Sequence, residues 1–128
     1  DVAEAAFDQF MLETTWQREE IDKTICHQVG HAQRKMLLAT LDLPPERDFT
    51  SFEFLGNTGS AALPVTAAIA AQRGRLAPGD RVGMFGIGSG INCVMLGAEW
   101  QRVPVEGAGA ENAGSRESEA EAAAWTVR

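Results

Sequence analysis

The fold is decided by the stretch RVGMFGIGSGINCVMLGAEW, residues Arg81 to Trp100. It contains two apolar runs with a glycine-rich turn between them, and neither run alternates cleanly between apolar and polar residues. Strands that are covered on both faces of a sheet carry this continuous apolar pattern. A turn sequence, APGD at Ala77 to Asp80, precedes the first run. The stretch therefore predicts two buried strands joined by a tight turn.

Two helices and one strand are predicted in the first third of the chain. Val2 to about Glu20 is predicted to be helical, since apolar residues recur there at the i, i+3, i+4 and i+7 spacing of one buried face. Thr24 to Gln28 is predicted as the end of a buried strand. A second helix is predicted from Gly30 or His31 to Leu41, and the following proline pair prevents its continuation.

The middle of the chain predicts one more helix. The segment FTSFEFLGN alternates briefly, so a short strand or extended loop is expected around Phe52 and Phe54. Ala61 to Arg73 is predicted as a helix with Ser60 as its N-cap. This helix is apolar on nearly every side, and we expect it to be central and buried. The order helix, strand, helix, helix, strand, strand indicates an α/β fold.

The bulk composition limits the class of protein. The chain has 128 residues, 45% hydrophobic and 23% charged, which suits one compact domain. Its formal net charge of -7 argues against nucleic acid or an anionic membrane as a partner, because both reward a basic surface. Two cysteines give no disulfide framework, so a reducing, cytoplasmic location is expected. No apolar run is long enough to predict a membrane span.

The composition changes sharply near residue 100. Residues 1–100 carry all of the predicted elements. Residues 101–128 are rich in Ala, Gly and Glu and have few large apolar side chains. Such a segment buries too little surface to offset its ordering entropy, so we predict a disordered acidic tail.

The segment TICHQVGHAQ, beginning at Thr24, places Cys26, His27 and His31 within six positions. Zinc requires three or four ligands in a tetrahedron. Cys26 and His27 are adjacent and would point to opposite sides of a strand, and no second ligand pair stands out. No metal site is therefore predicted. A buried histidine with satisfied hydrogen bonds beside a core cysteine remains an open alternative to a catalytic role.

Two further segments carry groups that suit the binding of an oxygen anion. GNTGSAALPVT, beginning at Gly56, contains Asn57, whose side-chain amide offers two donors. The loop Gly88, Ser89 and Gly90 permits a tight turn with exposed backbone N–H groups, which can hold an oxyanion. Taken alone, the loop is equally consistent with an ordinary hairpin turn.

Together, the motifs HQVGH, GNTGSAALP and PGDRVGMFGIGSGINCVML resemble the C-terminal part of the thiolase-superfamily condensing enzymes. The broad match is the ketoacyl-ACP synthase III group, and the chain looks most like the OleA-type enzymes, which join two fatty acyl-CoA molecules head to head. The resemblance covers about Phe7 to Trp100. It implies that the chain is the C-terminal portion of a thiolase-like fold, incomplete without the N-terminal half.

The resemblance also implies a mechanism. A cysteine takes an acyl group as a thioester, and a carbanion formed from a second acyl-CoA or acyl-ACP attacks it to give a β-ketoacyl product. His27 and Asn57 match the pair that faces the second thioester carbonyl, and the Gly88-Ser89-Gly90 loop matches the one that holds the oxyanion at the acylated cysteine. Gly30 stands where many members have an asparagine, which puts a contact to the pantetheine arm in doubt.

The nucleophile of this mechanism is missing from the chain. In the resembled enzymes it belongs to the N-terminal half, and neither Cys26 nor Cys93 has a helix N-terminus to lower its pKa. We therefore expect no activity from this chain alone. The missing half would come from the same polypeptide or from another chain, in a homodimer or heteromer, with acyl-CoA or acyl carrier protein as substrate and no cofactor. The alternative is a non-catalytic interaction subunit or remnant of the same fold.

Overall fold

The computed structural model describes residues 2–88, 90 and 92–101. The prediction of a disordered tail concerns residues 101–128, which lie outside the described part of the chain except for Gln101. The helices are α1 (Val2–Thr14), α2 (His31–Thr40), α3 (Phe52–Leu55) and α4 (Ala62–Gln72), and the strands are β1 (Lys23–Cys26), β2 (Arg81–Gly88) and β3 (Asn92–Glu99). Short 3-10 turns lie at Arg18–Glu20, Pro45–Arg47 and Gly59–Ala61.

The strands form one mixed sheet in the order β1-β2-β3. β1 runs parallel to β2, with Cys26 opposite Phe85. β2 and β3 form an antiparallel hairpin in which Gly88 lies opposite Asn92. Gly90 in the connecting turn has a φ of 82°, a conformation that favours glycine. The predicted α/β fold and the prediction of two strands within residues 81–100 are confirmed.

Apolar clusters cover the two faces of the sheet, so the fold is layered. On one face, Phe85 is fully buried and meets the rings of Phe7 and Phe10 edge to face, with centroids 5.7 and 5.5 Å apart. On the other face, Val82 and Ile25 pack in one cluster with residues of α4. Neighbouring β2 residues thus serve opposite layers, which explains why the strand sequence does not alternate in polarity.

The contact between α1 and β3 depends on a glycine. A Cβ atom at Gly97 would lie 2.9 Å from Cγ2 of Thr14 and 3.0 Å from Cη2 of Trp16. Real side chains do not approach so closely, so only glycine allows α1 to reach β3 at this depth. The absence of a side chain at Gly97 therefore lets the end of α1 pack closely against the sheet.

Helix α1 is shorter than the sequence pattern predicted. It ends at Thr14, and Thr15 has a φ of 60° instead of continuing the helix to Glu20. The hydroxyl of Thr14 donates to the carbonyl oxygen of Phe10, and the backbone N–H of Trp16 donates to the same hydroxyl. This turn directs Trp16 into the core, where its side chain is 4% exposed. The free energy gained by burying the indole of Trp16 exceeds the free energy gained by continuing the helix.

The segment predicted as a strand or extended loop around Phe52 is instead the one-turn helix α3. Its first N–H groups have no partner within the helix. The side-chain oxygen of Gln28 accepts hydrogen bonds from the backbone N–H groups of Ser51 and Phe52, at 2.8 and 3.1 Å. Gln28, which is distant in the sequence, therefore caps the helix. The alternation of apolar and polar residues around Phe52 carries no information about this contact.

Helix α4 was predicted from Ala61 to Arg73 with Ser60 as its cap. It begins at Ala62 after a 3-10 turn, and no side chain caps it. One face is buried through Ala67 and Ala70, whereas Pro64, Val65 and Ala68 are exposed. The expectation of a helix buried on all sides is therefore wrong for the chain as described, because no layer of the described residues covers the second face.

The two edges of the sheet differ. Residues 48–52, here called the edge segment, run along the outer side of β1: the backbone N–H of Phe49 donates to the carbonyl oxygen of Thr24 at 3.0 Å, and Asp48 bridges to Thr24 in parallel. The described residues place no strand beside the outer edge of β3. Within the described residues, the outer backbone groups of β3 therefore pair with no further strand.

Candidate functional site

His27, Asn57 and Gly88 line one cavity of about 470 Å³. His27 follows directly after β1, and Gly88 is the last residue of β2. Because parallel strands place their carboxyl ends at the same edge of a sheet, these two residues meet there. Asn57 reaches the cavity from the loop between α3 and the following 3-10 turn. The structure thus brings together residues that lie far apart in the sequence.

The orientation of Asn57 is set by its own loop. Gly56 and Gly59 have φ values of 67° and 62°, which favour glycine on both sides of the turn. The side-chain oxygen of Asn57 accepts a hydrogen bond from the backbone N–H of Gly59 at 2.9 Å. This assigns the amide oxygen to the loop. The amide nitrogen is then the end that can donate to a ligand.

His27 is half buried, and its ring has no hydrogen-bond partner among residues 2–88, 90 and 92–101. Its ring nitrogens are therefore available to a molecule in the cavity. His31 lies elsewhere: it is exposed at the start of α2, with its ring edge-on to Phe52 at a centroid distance of 4.6 Å. The structure does not bring the two histidines together in the cavity.

The glycine loop contributes to the cavity in part. Gly88 and Gly86 line it, and Gly90 is exposed in the turn beyond it. Ser89, the third residue of the predicted loop, lies outside the described residues. A Cβ atom at Gly88 would be in ordinary contact with Asn92, at 3.8 Å, so the strand end has room for a substrate atom.

Sequence reasoning missed several residues that line the cavity. Asn92 lies opposite Gly88 in the hairpin and adds a second amide. Leu63 and Val94 add apolar walls. The signal for Asn92 was its position two residues after Gly90, where the hairpin register returns the chain to the same edge of the sheet.

A second cavity of about 410 Å³ adjoins the same residues. It shares His27, Ile87 and Gly88 with the first, and the side chains of α2 that line it include Met36 and Leu37. His27 therefore lies between two cavities with mostly apolar walls. The first also carries the amides of Asn57 and Asn92, and the second also carries polar side chains of α2, among them Arg34. Such a boundary suits a ligand with a polar head and an apolar chain.

Neither cysteine has the environment of a nucleophile. Cys26 is 1% exposed in the core, and burial together with the charge of nearby Asp48 raises the pKa of its thiol well above the ordinary value. Burial also raises the pKa of Cys93, which is half buried on β3. A reactive cysteine needs a lowered pKa. In the described part of the chain, no cluster of three or more His, Cys, Asp or Glu side chains is placed to hold a metal ion.

A buried ion pair stabilises the strand that leads to His27. Asp48 accepts hydrogen bonds from the hydroxyl of Thr24 at 3.0 Å and from the backbone N–H of Cys26 at 3.2 Å. Arg34 of α2 donates to its other oxygen at 2.6 Å. Burial raises the pKa of Asp48, and Arg34 opposes that shift. This network fixes β1 against the edge segment and α2.

The helices described here are all too short or too polar to cross a bilayer.

The chain is thus a layered α/β segment with a cavity at the carboxyl ends of its parallel strands. Residues 11–100 match the family described as 3-oxoacyl-[acyl-carrier-protein (ACP)] synthase III C terminal. The chain belongs to this family.

Two relatives illustrate the similarity at different levels of identity. The acyl-CoA:acyl-CoA alkyltransferase of Shewanella oneidensis is 48% identical over 100 residues, which are 78% of this chain and 29% of that protein. A β-ketoacyl-[acyl-carrier-protein] synthase III of Streptomyces coelicolor is 31% identical over 88 residues, 69% of this chain and 26% of that protein.

Solved structures give the same result. A variant of OleA from Xanthomonas campestris superposes with a TM-score of 0.73 at 33% identity, covering 77% of this chain and 28% of that chain. The resemblance to the C-terminal part of thiolase-like condensing enzymes is therefore confirmed. The chain spans less than a third of the length of these relatives.

Proposed function

We propose that this chain is the C-terminal segment of an acyl-thioester condensing enzyme. In this proposal, His27 and Asn57 donate hydrogen bonds to the carbonyl oxygen of the second acyl thioester. That oxygen gains negative charge as the adjacent carbon becomes a carbanion, either by losing a proton to a base of the assembled enzyme or by losing carbon dioxide from a carboxylated donor. The carbanion then attacks the acyl group held on a cysteine, the cysteine leaves as thiolate, and a β-ketoacyl product forms.

The observation that carries the proposal is the pairing of two donors across one cavity. The amide oxygen of Asn57 is occupied by the N–H of Gly59, so its nitrogen is left to donate. The ring of His27 lines the same cavity from the end of β1. Donors already placed around a developing negative charge stabilise it without reorganisation, and they often supply the greater part of an enzyme's rate enhancement.

The glycine loop is proposed to hold a second oxyanion, at the acylated cysteine. Backbone N–H groups of Gly88, Ser89 and Gly90 are the candidate donors. The support is the position of Gly88 at the cavity wall and the absence of a Cβ atom that would narrow the approach. In this proposal the end of β2 lines the site of cysteine acylation as well as the site of condensation.

Acyl-CoA or acyl-ACP is the proposed substrate, with no cofactor. The largely apolar cavity beside His27 is suited to a hydrocarbon chain. The relatives point the same way: one is named an acyl-CoA:acyl-CoA alkyltransferase, and a solved OleA structure contains lauric acid and lauroyl-CoA.

The nucleophilic cysteine is proposed to lie in a segment that completes the fold, in the same polypeptide or a partner chain, within a homodimer or heteromer. The exposed apolar residues Val65, Val94 and Leu96 support this, since they are 37%, 55% and 37% exposed on α4 and β3. A further layer would bury them. Two free cysteines are compatible with the reducing cytoplasm that we propose as the location.

The experiment uses the assembled enzyme, meaning this chain together with the rest of the thiolase-like fold. His27→Ala and Asn57→Ala should each lower the condensation rate by about a hundred- to a thousand-fold while leaving acylation of the cysteine unchanged. Rapid-quench measurement of the acyl-enzyme and of the β-ketoacyl product separates the two steps. Lys35→Ala, at an exposed position of α2, is the control and should keep both rates.

Two results would count against the proposal. Loss of acylation in the His27 and Asn57 variants, with the fold intact, would mean that these residues serve the first acyl group. Absence of any condensation by the wild-type assembly would favour the alternative, a non-catalytic interaction subunit that retains the fold.

A further inference from the structure

Gln28 links the two segments that carry His27 and Asn57. Its side chain is 1% exposed, and both ends of its amide are used. The amide nitrogen donates to the carbonyl oxygen of Cys26, on the outer edge of β1. The amide oxygen accepts from the backbone N–H groups of Ser51 and Phe52. One side chain therefore connects the end of β1 to the start of α3.

The chain path makes this link short. His27 lies between Cys26 and Gln28 in the chain. The hydrogen bond from the Gln28 side chain to the carbonyl oxygen of Cys26 therefore restrains the backbone of His27. On the other side, α3 is a single turn from Phe52 to Leu55, followed by Gly56 and then Asn57. A shift of the α3 N-terminus moves this turn as a unit and carries Asn57 with it. The relative placement of the two donors depends on what holds the start of α3.

Other contacts also hold residues near the start of α3. One of them reaches β1 as well, since the backbone N–H of Cys26 donates to Asp48, three residues before Ser51. The hydroxyl groups of Ser51 and Thr66 lie 2.6 Å apart, which connects the segment to α4. The ring of His31 meets Phe52 and connects it to α2. Among these contacts of Ser51 and Phe52, the amide of Gln28 is the one that reaches the residue next to His27.

We infer that Gln28 is a positioning residue: it sets the separation of His27 and Asn57 by bridging the end of β1 to the N-terminus of α3. This inference rests on the function proposed above. Its consequence is that Gln28 matters for condensation, where both donors act on one oxygen, and not for acylation. Misplacement of a catalytic group by about 1 Å can cost up to about 100-fold in rate.

The test uses Gln28→Met in the assembled enzyme, because methionine has the same length and no strong donor or acceptor. Condensation should fall by about 10- to 100-fold, whereas acylation of the nucleophilic cysteine should stay at the wild-type rate. Gln28→Glu keeps an acceptor for the two N–H groups of α3 and should retain more condensation than Gln28→Met. Gln101→Leu, at an exposed position, is the control and should change neither rate.

A double-mutant cycle separates positioning from a structural role. If Gln28 acts by placing Asn57, then Gln28→Met in the Asn57→Ala background should cost little further condensation. A purely structural defect would multiply with the loss of Asn57. Thermal melting of each variant checks that the fold survives, and if Gln28→Met does not fold, the same cycle is run with Gln28→Glu.

The outcomes are distinguishable. Unchanged condensation in Gln28→Met, equal losses of condensation and acylation, or fully multiplicative losses with Asn57→Ala would each overturn the inference. If His27→Ala and Asn57→Ala abolish condensation while Gln28→Met has no effect, only the positioning role fails. If His27→Ala and Asn57→Ala leave condensation intact, the proposed function itself fails.

Discussion

Arg34 and Asp48 form an ion pair with Nε and Oδ2 2.6 Å apart, and the side chain of Asp48 is fully buried. The guanidinium also donates to the carbonyl oxygens of Pro45 and Asp48, and these hydrogen bonds hold it beside the buried carboxylate. Removing one partner of such a pair leaves an uncompensated charge in the interior.

Arg34→Met should therefore destabilise the assembled protein by about 3 kcal/mol. The methionine keeps most of the aliphatic volume, so the loss comes from the unpaired carboxylate of Asp48. Urea unfolding gives the change. Lys35→Met, at the exposed neighbouring position, is the control and should leave the midpoint nearly unchanged. Equal midpoints for the Arg34 and Lys35 variants would show that the pair contributes nothing to stability.

The same pair predicts a dependence on pH. Burial raises the pKa of Asp48 in the folded protein, and Arg34 opposes the shift, so Arg34→Met should raise that pKa further. A carboxyl with a raised folded pKa binds its proton more tightly when folded, so the folded state gains stability as pH falls from above the folded pKa toward the unfolded one. The destabilisation of Arg34→Met should shrink over that acidic range. A defect that stays constant from neutral pH to that range would contradict the assignment.

Gly97→Ala should destabilise the protein by about 1–3 kcal/mol through overpacking, since the added Cβ meets Thr14 and Trp16 at 2.9 and 3.0 Å. Thermal melting measures the loss. Gly86→Ala is the stability control, because its nearest neighbours would lie 3.7 Å away. Thr14→Ser removes the methyl group that lies closest, so the double variant should recover part of the loss. No recovery would place the clash on Trp16 or on Phe10, whose Cε2 atom would lie 3.1 Å from the added Cβ atom.

The sequence predicted the strands and the α/β order because their signals are local. Apolar runs and turn residues between 77 and 100 are recognised from neighbouring positions, and tertiary packing then confirmed them. The end of α1 was missed because it depends on Trp16 finding a place in the core. No helical pattern between Val2 and Glu20 contains that information.

The sequence motifs predicted which residues would lie near one another. His27, Asn57 and Gly88 were selected from residue types and resemblance, and the structure places all three on one cavity. The link through Gln28 was not predicted, since an amide between His27 and Val29 looks like one more polar residue of a strand end. Its partners at Ser51 and Phe52 are brought to it only by the fold.

The parallel pairing of β1 with β2 also sets the order of events during synthesis. β1 leaves the ribosome long before β2, because the whole of α2, α3 and α4 is translated between them. At about 5–20 residues per second, Ile25 and Cys26 wait roughly 3 to 12 seconds for the strand that pairs with them. The cavity that holds His27 therefore forms only after β2 has been synthesised, and β1 lacks its strand partner until then.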